Sequence, residues 1–262
     1  MTASASPAST MELAPTVQYT LRLGDDALVL AQRLGEWSAK APELEEDVAL
    51  TNIALDLLGQ ARALLSYAGR LEDAGRDEDA LAYLRDERDW VNVQLVEQPG
   101  GDFADTIARQ LFFSGYQYEL YGRLVDSADE TLAAVAAKAV KEVAYHRDHA
   151  AQWVVRLGDG TEVSHARMQA GLERMWPYVG ELFDSDELEH GLAEQRIAVD
   201  SAKLRAPWRQ FVDDVLAEAM LSITEGVWTA PGGGRRGIHT ESFGYLLAEM
   251  QHLHRSHPGA RW

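Results

Sequence analysis

The stretch Leu44-Glu-Glu-Asp-Val-Ala-Leu-Thr-Asn-Ile-Ala-Leu-Asp-Leu-Leu-Gly-Gln-Ala-Arg62 decides the fold class of this chain. Its apolar residues recur every three or four positions. Leu50, Ile53, Ala54, Leu57, Leu58, Ala61, Leu64 and Leu65 therefore form one stripe of a helix. Pro42 opens that helix, and Glu43, Glu45, Glu46 and Asp47 set negative charge at its positive dipole end. Gly69 is expected to close it. Asn52, Asp56 and Glu45 fall on the opposite side and are read as solvated.

The same periodicity runs along the chain, and no stretch shows sustained alternation. The spacing predicts a first helix from Val17 to Trp37, with Leu23, Ala27, Leu30, Ala31 and Leu34 on one stripe. A shorter helical piece, Glu78 to Val93, leads into the Pro99-Gly100-Gly101 break. Asp102 can cap a third long helix reaching Val125, and Ser127 or Asp129 a fourth that stops at Gly158. Four long helices joined this way make a bundle with a long link between the second and third. Shorter helices follow: Ser164 to Trp176, Leu188 to Leu204, Pro207 to Ile223, and Thr240 to about Arg255. The fold class is all-α, a four-helix bundle with additional C-terminal helices. The expected organisation is a disordered tail over residues 1–15, one domain over 16–258 (bundle about 17–158, extra helices about 164–256), and a tail over 259–262.

The chain has 262 residues, enough to bury a sizeable core, and no cysteine, which excludes disulfides and thiolate chemistry. No apolar run is read as reaching membrane-spanning length, and the start lacks the basic-then-apolar order of a signal peptide. The expected location is the cytoplasm, with no membrane partner. A formal net charge of −18 repels phosphate backbones, so nucleic acid is not expected as a partner. It also argues against this chain alone holding a polyanionic thioester. The acidity serves solubility or, on the functional reading, docking onto a more basic protein.

A carboxylate metal centre in a helix bundle needs Glu-x-x-His on each of two core helices, because a spacing of three puts both ligands on one face. The positions here read Leu57-x-x-Gln60 and Val143-x-x-His146. Ala27 and Phe113 occupy the inward places of single carboxylates, thirty residues before Leu57 and Val143 respectively. Ala, Leu, Phe and Val cannot bind iron, so no metal and no catalytic residue is assigned. His146 is read as a hydrogen-bonded core histidine. A rearranged metal site from Glu142, His146 and His149 is the competing reading. His252, His254 and His257 read as an exposed polar helix end.

Gly232-Gly233-Gly234-Arg235-Arg236-Gly237 precedes the helix beginning near Thr240. Its backbone N–H groups, the guanidiniums of Arg235 and Arg236, and nearby His239 can hold an anion or form an interface loop. The spacing matches neither a Walker nor a Rossmann loop, so an ordered connector is the plainer reading.

Several runs carry a family resemblance. Tyr19-Thr-Leu-Arg-Leu-Gly-Asp-Asp26, the Leu44–Arg62 stretch, Tyr83-Leu-Arg-Asp-Glu-Arg88, Val96-Glu-Gln-Pro-Gly-Gly-Asp-Phe103 and Lys141-Glu-Val-Ala-Tyr-His146 resemble the C-type subunits of the bacterial phenylacetyl-CoA ring-1,2-epoxidase complex. Trp153-Val-Val-Arg-Leu-Gly-Asp-Gly160, Trp176-Pro-Tyr178, Gly237-Ile-His-Thr-Glu241 and Leu246-Leu-Ala-Glu-Met-Gln251 agree, so the likeness covers Tyr19 to Pro258.

The resemblance implies a ferritin-like fold and a place in phenylacetate catabolism. In that family the A-type subunit holds the di-iron centre, and the C-type subunit is a paralogue that pairs with it and has lost the metal. The catalytic paralogue has Asp-Glu-x-Gly-His where this chain reads Asp56-Leu57-Leu58-Gly59-Gln60. The implied role is a non-catalytic structural subunit without its own cofactor. The iron lies in the partner, and a small B-type subunit and a reductase complete the complex. The alternatives are an independent metalloenzyme with displaced ligands around His146, or a regulatory binding module using the Gly232 to Gly237 loop.

Overall fold

The computed structural model describes residues 13–224, 226 and 228–260. Among them are ten α-helices and no strand. α1 (Pro15–Gly35) and α2 (Leu44–Glu72) pack as one hairpin. The link after them holds α3 (Glu78–Tyr83) and α4 (Gln94–Glu97). α5 (Phe103–Leu124) and α6 (Glu130–Gly158) form the second hairpin, and α2 lies against α6 to close the bundle. α7 (Glu162–Met175), α8 (Glu187–Glu194), α9 (Arg205–Glu218) and α10 (Glu241–Ser256) then pack on the bundle, α7 and α9 on the α5–α6 hairpin and α8 on α1.

The expected tails mostly lie outside the described residues, but Pro15 does not belong to one. It occupies the first turn of α1, where a missing N–H leaves nothing unsatisfied. α1 and α2 start at Pro15 and Leu44, two residues from the expected Val17 and Pro42, and α2 runs past Gly69 to Glu72; α5 and α6 start where the sequence suggests. Asp102 forms a reciprocal capping box with Asp105, and Asp129 accepts from the N–H groups of Thr131 and Leu132 at 3.0 Å each.

Three shorter expectations need correction. The piece from Glu78 to Val93 is not one helix: α3 ends at Tyr83, a single 3₁₀ turn covers Glu87–Asp89, and Trp90 is already extended. The cause is α1. Its Asp25 and Asp26 accept the backbone N–H groups of Val91 and Val93 at 3.0 and 2.8 Å, which takes those donors out of any helical ladder. The expected Leu188 to Leu204 helix breaks after Glu194, because Arg196 turns left-handed (φ 61°) and the Ile197 N–H reaches back to the Leu192 carbonyl. α9 likewise stops at Glu218, with Met220 at φ 55° and the Leu221 N–H on the Leu216 carbonyl.

α1 is buried on nearly every side, its charged residues included. Asp25 lies inside with Arg85, which also sits over the Trp90 ring at 4.3 Å. Arg22 binds Asp186 at the start of α8. Arg33 donates to the carbonyls of Glu97 and Ser242 at 2.7 and 3.0 Å. α2 is different. By length and composition alone it could cross a membrane, with mean hydropathy 1.3 over its most apolar window, yet only 44% of that window is buried within the protein. This amends the expectation that no such stretch exists.

The C-terminal layer is anchored by Trp208 of α9. It is 1% exposed, packs among Phe112, Trp176 and Phe183, and donates its indole N–H to the Phe112 carbonyl at 2.9 Å. Trp208→Ala is expected to lower the unfolding free energy by about 3–5 kcal/mol, the usual cost of emptying a large aromatic site. Urea titration followed by circular dichroism measures it.

Candidate functional site

The six inward positions picked from the sequence come from all four bundle helices: Ala27 from α1, Leu57 and Gln60 from α2, Phe113 from α5, Val143 and His146 from α6. All are buried, the most exposed being Gln60 at 3%. Together they offer one imidazole and one amide. The other four side chains are hydrocarbon and supply no donor to a cation. Among the described residues no group of three or more His, Asp or Glu side chains could hold a metal ion. These positions therefore do not fit a two-iron centre.

The polar groups that remain are engaged with one another across the α2–α6 seam. His146 Nε2 meets Asp56 Oδ2 at 3.0 Å. Gln60 donates to Glu142 Oε2 at 3.1 Å, and Lys138 pairs with the other oxygen of Glu142 at 3.2 Å. His149 Nε2 meets Glu46 Oε2 at 2.8 Å. The three members of the competing site, Glu142, His146 and His149, thus each face a different partner rather than a common point.

Asp56 corrects the sequence reading. It is not solvated on the far side of α2 but half-buried against His146. A signal was present: Asp56 and Gln60 are one turn apart, so an edge that buries Gln60 brings Asp56 with it. Glu46, read only as a dipole charge, is likewise the buried partner of His149. Burial holds the His146 imidazole below its ordinary value of 6.5, against the upward pull of Asp56. One turn before Phe113, Arg109 is also enclosed and donates to the Gln98 carbonyl. Burial, then the neighbouring Arg33, lower that guanidinium to about 10.

The glycine-rich loop is built around anions that the chain itself supplies. The N–H groups of Gly233 and Gly234 donate to Glu181 Oε1 at 2.8 and 2.7 Å. Arg235 forms a bidentate pair with Asp26 and donates to the Val91 carbonyl. Burial pushes the Asp26 carboxyl up to about 6, although Arg235 pulls it down. His239 is closed between Glu97 and the Trp90 carbonyl, and Glu97 also receives the Thr240 N–H and hydroxyl at the start of α10. Gly237, at φ 71°, lies so close to the Arg88 carbonyl that a Cβ would sit 2.3 Å from its oxygen. Of the four loop residues Arg235, Arg236, Gly237 and His239, Arg236 alone has an exposed side chain. Of the donors expected to hold an external anion, the Gly233 and Gly234 N–H groups, Arg235 and His239 are engaged within the chain. At the C-terminus, His252 and His257 are exposed and His254 stacks on Tyr83 at 4.8 Å.

A family model described as phenylacetic acid catabolic protein matches residues 1–262. The chain belongs to that family. It is 52% identical over 244 residues to the C-type subunit of the 1,2-phenylacetyl-CoA epoxidase of Escherichia coli (strain K12), covering 93% of this chain and 98% of that one. The ten-helix, strand-free architecture is that of the family's ferritin-like bundle.

The His146 pair has a measurable consequence. Its folded value lies below the unfolded one of about 6.5, so the unfolded chain takes up the proton first as pH falls. This contribution to stability is complete above pH 6.5 and is lost progressively below it. Urea titrations between pH 5 and 8 should show that decline in the wild type and a flatter profile in His146→Gln. His146→Ala should cost about 2–3 kcal/mol at neutral pH, from lost packing and a broken hydrogen bond.

Proposed function

We propose that this chain is a non-catalytic structural subunit of a phenylacetyl-CoA epoxidase, and that it pairs with and orders the di-iron subunit. One observation carries the proposal: four of the six bundle-centre positions assigned from the sequence to lost metal ligands are Ala27, Leu57, Phe113 and Val143, and all four are sealed from solvent. The likeness to the C-type subunit of an epoxidase supports it and supplies the substrate class.

The physical logic is substitution of cohesion for chemistry. Buried carboxylates without a metal are expensive, whereas each hydrocarbon replacement adds about 25 cal/mol per Å² of buried apolar surface. The centre becomes a packed core, and the residual imidazole and amide are tied to carboxylates of the α2–α6 seam. Such a subunit binds no oxygen and moves no proton. Its task is to present a rigid surface. The iron, the substrate site and the electron supply lie in the A-type subunit and its small B-type and reductase companions, in the cytoplasm. The net charge of −18 opposes self-association and favours approach of a less acidic partner.

Reconstitution tests this directly. The purified chain should carry far less than one iron per molecule by plasma emission spectrometry and show no epoxidation by itself. Omitting it from a mixture of the other subunits should lower turnover by about 100-fold, the order of loss that small misplacement of catalytic groups produces. Full turnover in its absence would remove the structural role. Stoichiometric iron in the bundle would remove the non-catalytic one.

A further inference from the structure

Among the described residues, one face of α2 leaves its apolar side chains exposed. Leu44, Val48, Leu55 and Leu58 are 75, 52, 58 and 38% exposed. With Thr51 and Arg62 they succeed one another at alternating steps of four and three residues, the spacing of a seam that receives another helix. Small residues border it: an added Cβ at Gly59 would meet only the Lys138 amine, at 3.8 Å. On one side the seam runs into a groove of about 260 Å³ between α1, α2 and α3, with Leu28, Leu65, Ala82 and Tyr83 in its lining. On the other stands Tyr145 of α6, 50% exposed. The most apolar window of α2 is only 44% buried, and its exposed leucines stand at the spacing of a helix-pair seam.

Charge narrows the occupant. Glu43 and Glu45 flank the Leu44 end and make no ion pair among the described residues. At the other end Arg62 and Lys138 are held by Glu78 and Glu142 at 2.9 and 3.2 Å. A matching helix therefore carries basic residues against Glu43 and Glu45. A second copy is a poor match, because each brings a net charge of −18 and the cations it would offer are the already paired Arg62 and Lys138. A membrane surface is a poorer one, since the uncompensated end of the seam is acidic and anionic headgroups repel it.

We propose that the α2 seam from Leu44 to Arg62 receives an amphipathic helix of the di-iron subunit, with apolar residues three and four apart and basic residues opposite Glu43 and Glu45. This rests on the pairing proposed above and names the surface that performs it.

The test co-expresses the tagged di-iron subunit with the full chain, as wild type, as Val48→Lys/Leu55→Lys, and as Tyr245→Lys/Leu253→Lys on α10, where both side chains are also exposed. Co-elution in size-exclusion chromatography is the readout, with circular dichroism and melting of each isolated chain as the check on folding. The wild type and the α10 variant should co-elute with the partner. The α2 variant should lose about 100-fold or more in affinity, as disrupted interface centres do, while melting as the wild type does. If it misfolds, Val48→Ser/Leu55→Ser carries the same expectation. Glu43→Lys/Glu45→Lys should weaken the complex in the same direction.

Normal co-elution of the folded α2 variant overturns the seam and leaves the pairing standing. Loss confined to the α10 variant overturns it too, by moving the interface. A wild type that never co-elutes removes the pairing itself. A dimer of the isolated chain, seen by light scattering and abolished in the α2 variant, assigns the seam to a second copy and overturns the proposal. So does flotation of the wild type, but not the α2 variant, with phosphatidylglycerol vesicles.

Discussion

The structure depends on the burial of α1 with its charges. A helix whose polar residues must also go inside can be tolerated only if each charge finds a partner. Here Arg22 takes Asp186, Asp25 takes Arg85, Asp26 takes Arg235, and Arg33 takes two carbonyls, from the end of α4 and the first turn of α10. The partners lie in the link after α2, at the start of α8, and in the loop before α10. One helix thereby fixes the position of three segments that have little regular structure of their own.

That arrangement leaves the bundle centre free to be apolar. Hydrocarbon fills it at Ala27, Leu57, Phe113 and Val143, and polarity gathers in two seams: the carboxylate–histidine and carboxylate–amide pairs between α2 and α6, and the ion pairs around α1. The outward α2 face carries exposed apolar residues, Leu44, Val48, Leu55 and Leu58.

The long helices were legible in the sequence because their determinants are local. Asp102 and Asp129 are caps that act within three residues, and the apolar stripes repeat for several turns. The short elements were not, because theirs are either atypical or remote. Arg196 and Met220 adopt the left-handed conformation usual for glycine, so two helix ends went unmarked. The break near Trp90 is imposed by carboxylates more than sixty residues away in sequence. The inward positions of the candidate site could be read from periodicity and resemblance together. Glu46 could not, and Asp56 only through its place one turn before Gln60, because whether a helix flank is wet depends on the neighbour that covers it. The glycine-rich loop shows the same limit: its anions are Glu181, Asp26 and Glu97, none adjacent to it in the chain.

The Asp26–Arg235 pair joins the first helix to a loop more than two hundred residues later. During synthesis the α1–α2 hairpin leaves the ribosome long before Arg235 exists, and for that interval a carboxylate destined for the interior has no counter-ion. The hairpin is therefore provisional: it can collapse early but becomes final only when the last quarter of the chain returns to it. Long-range closures of this kind slow folding and prolong exposure of half-finished surfaces. In a chain that also carries an open apolar seam on α2, the order of events during manufacture matters as much as the finished shape.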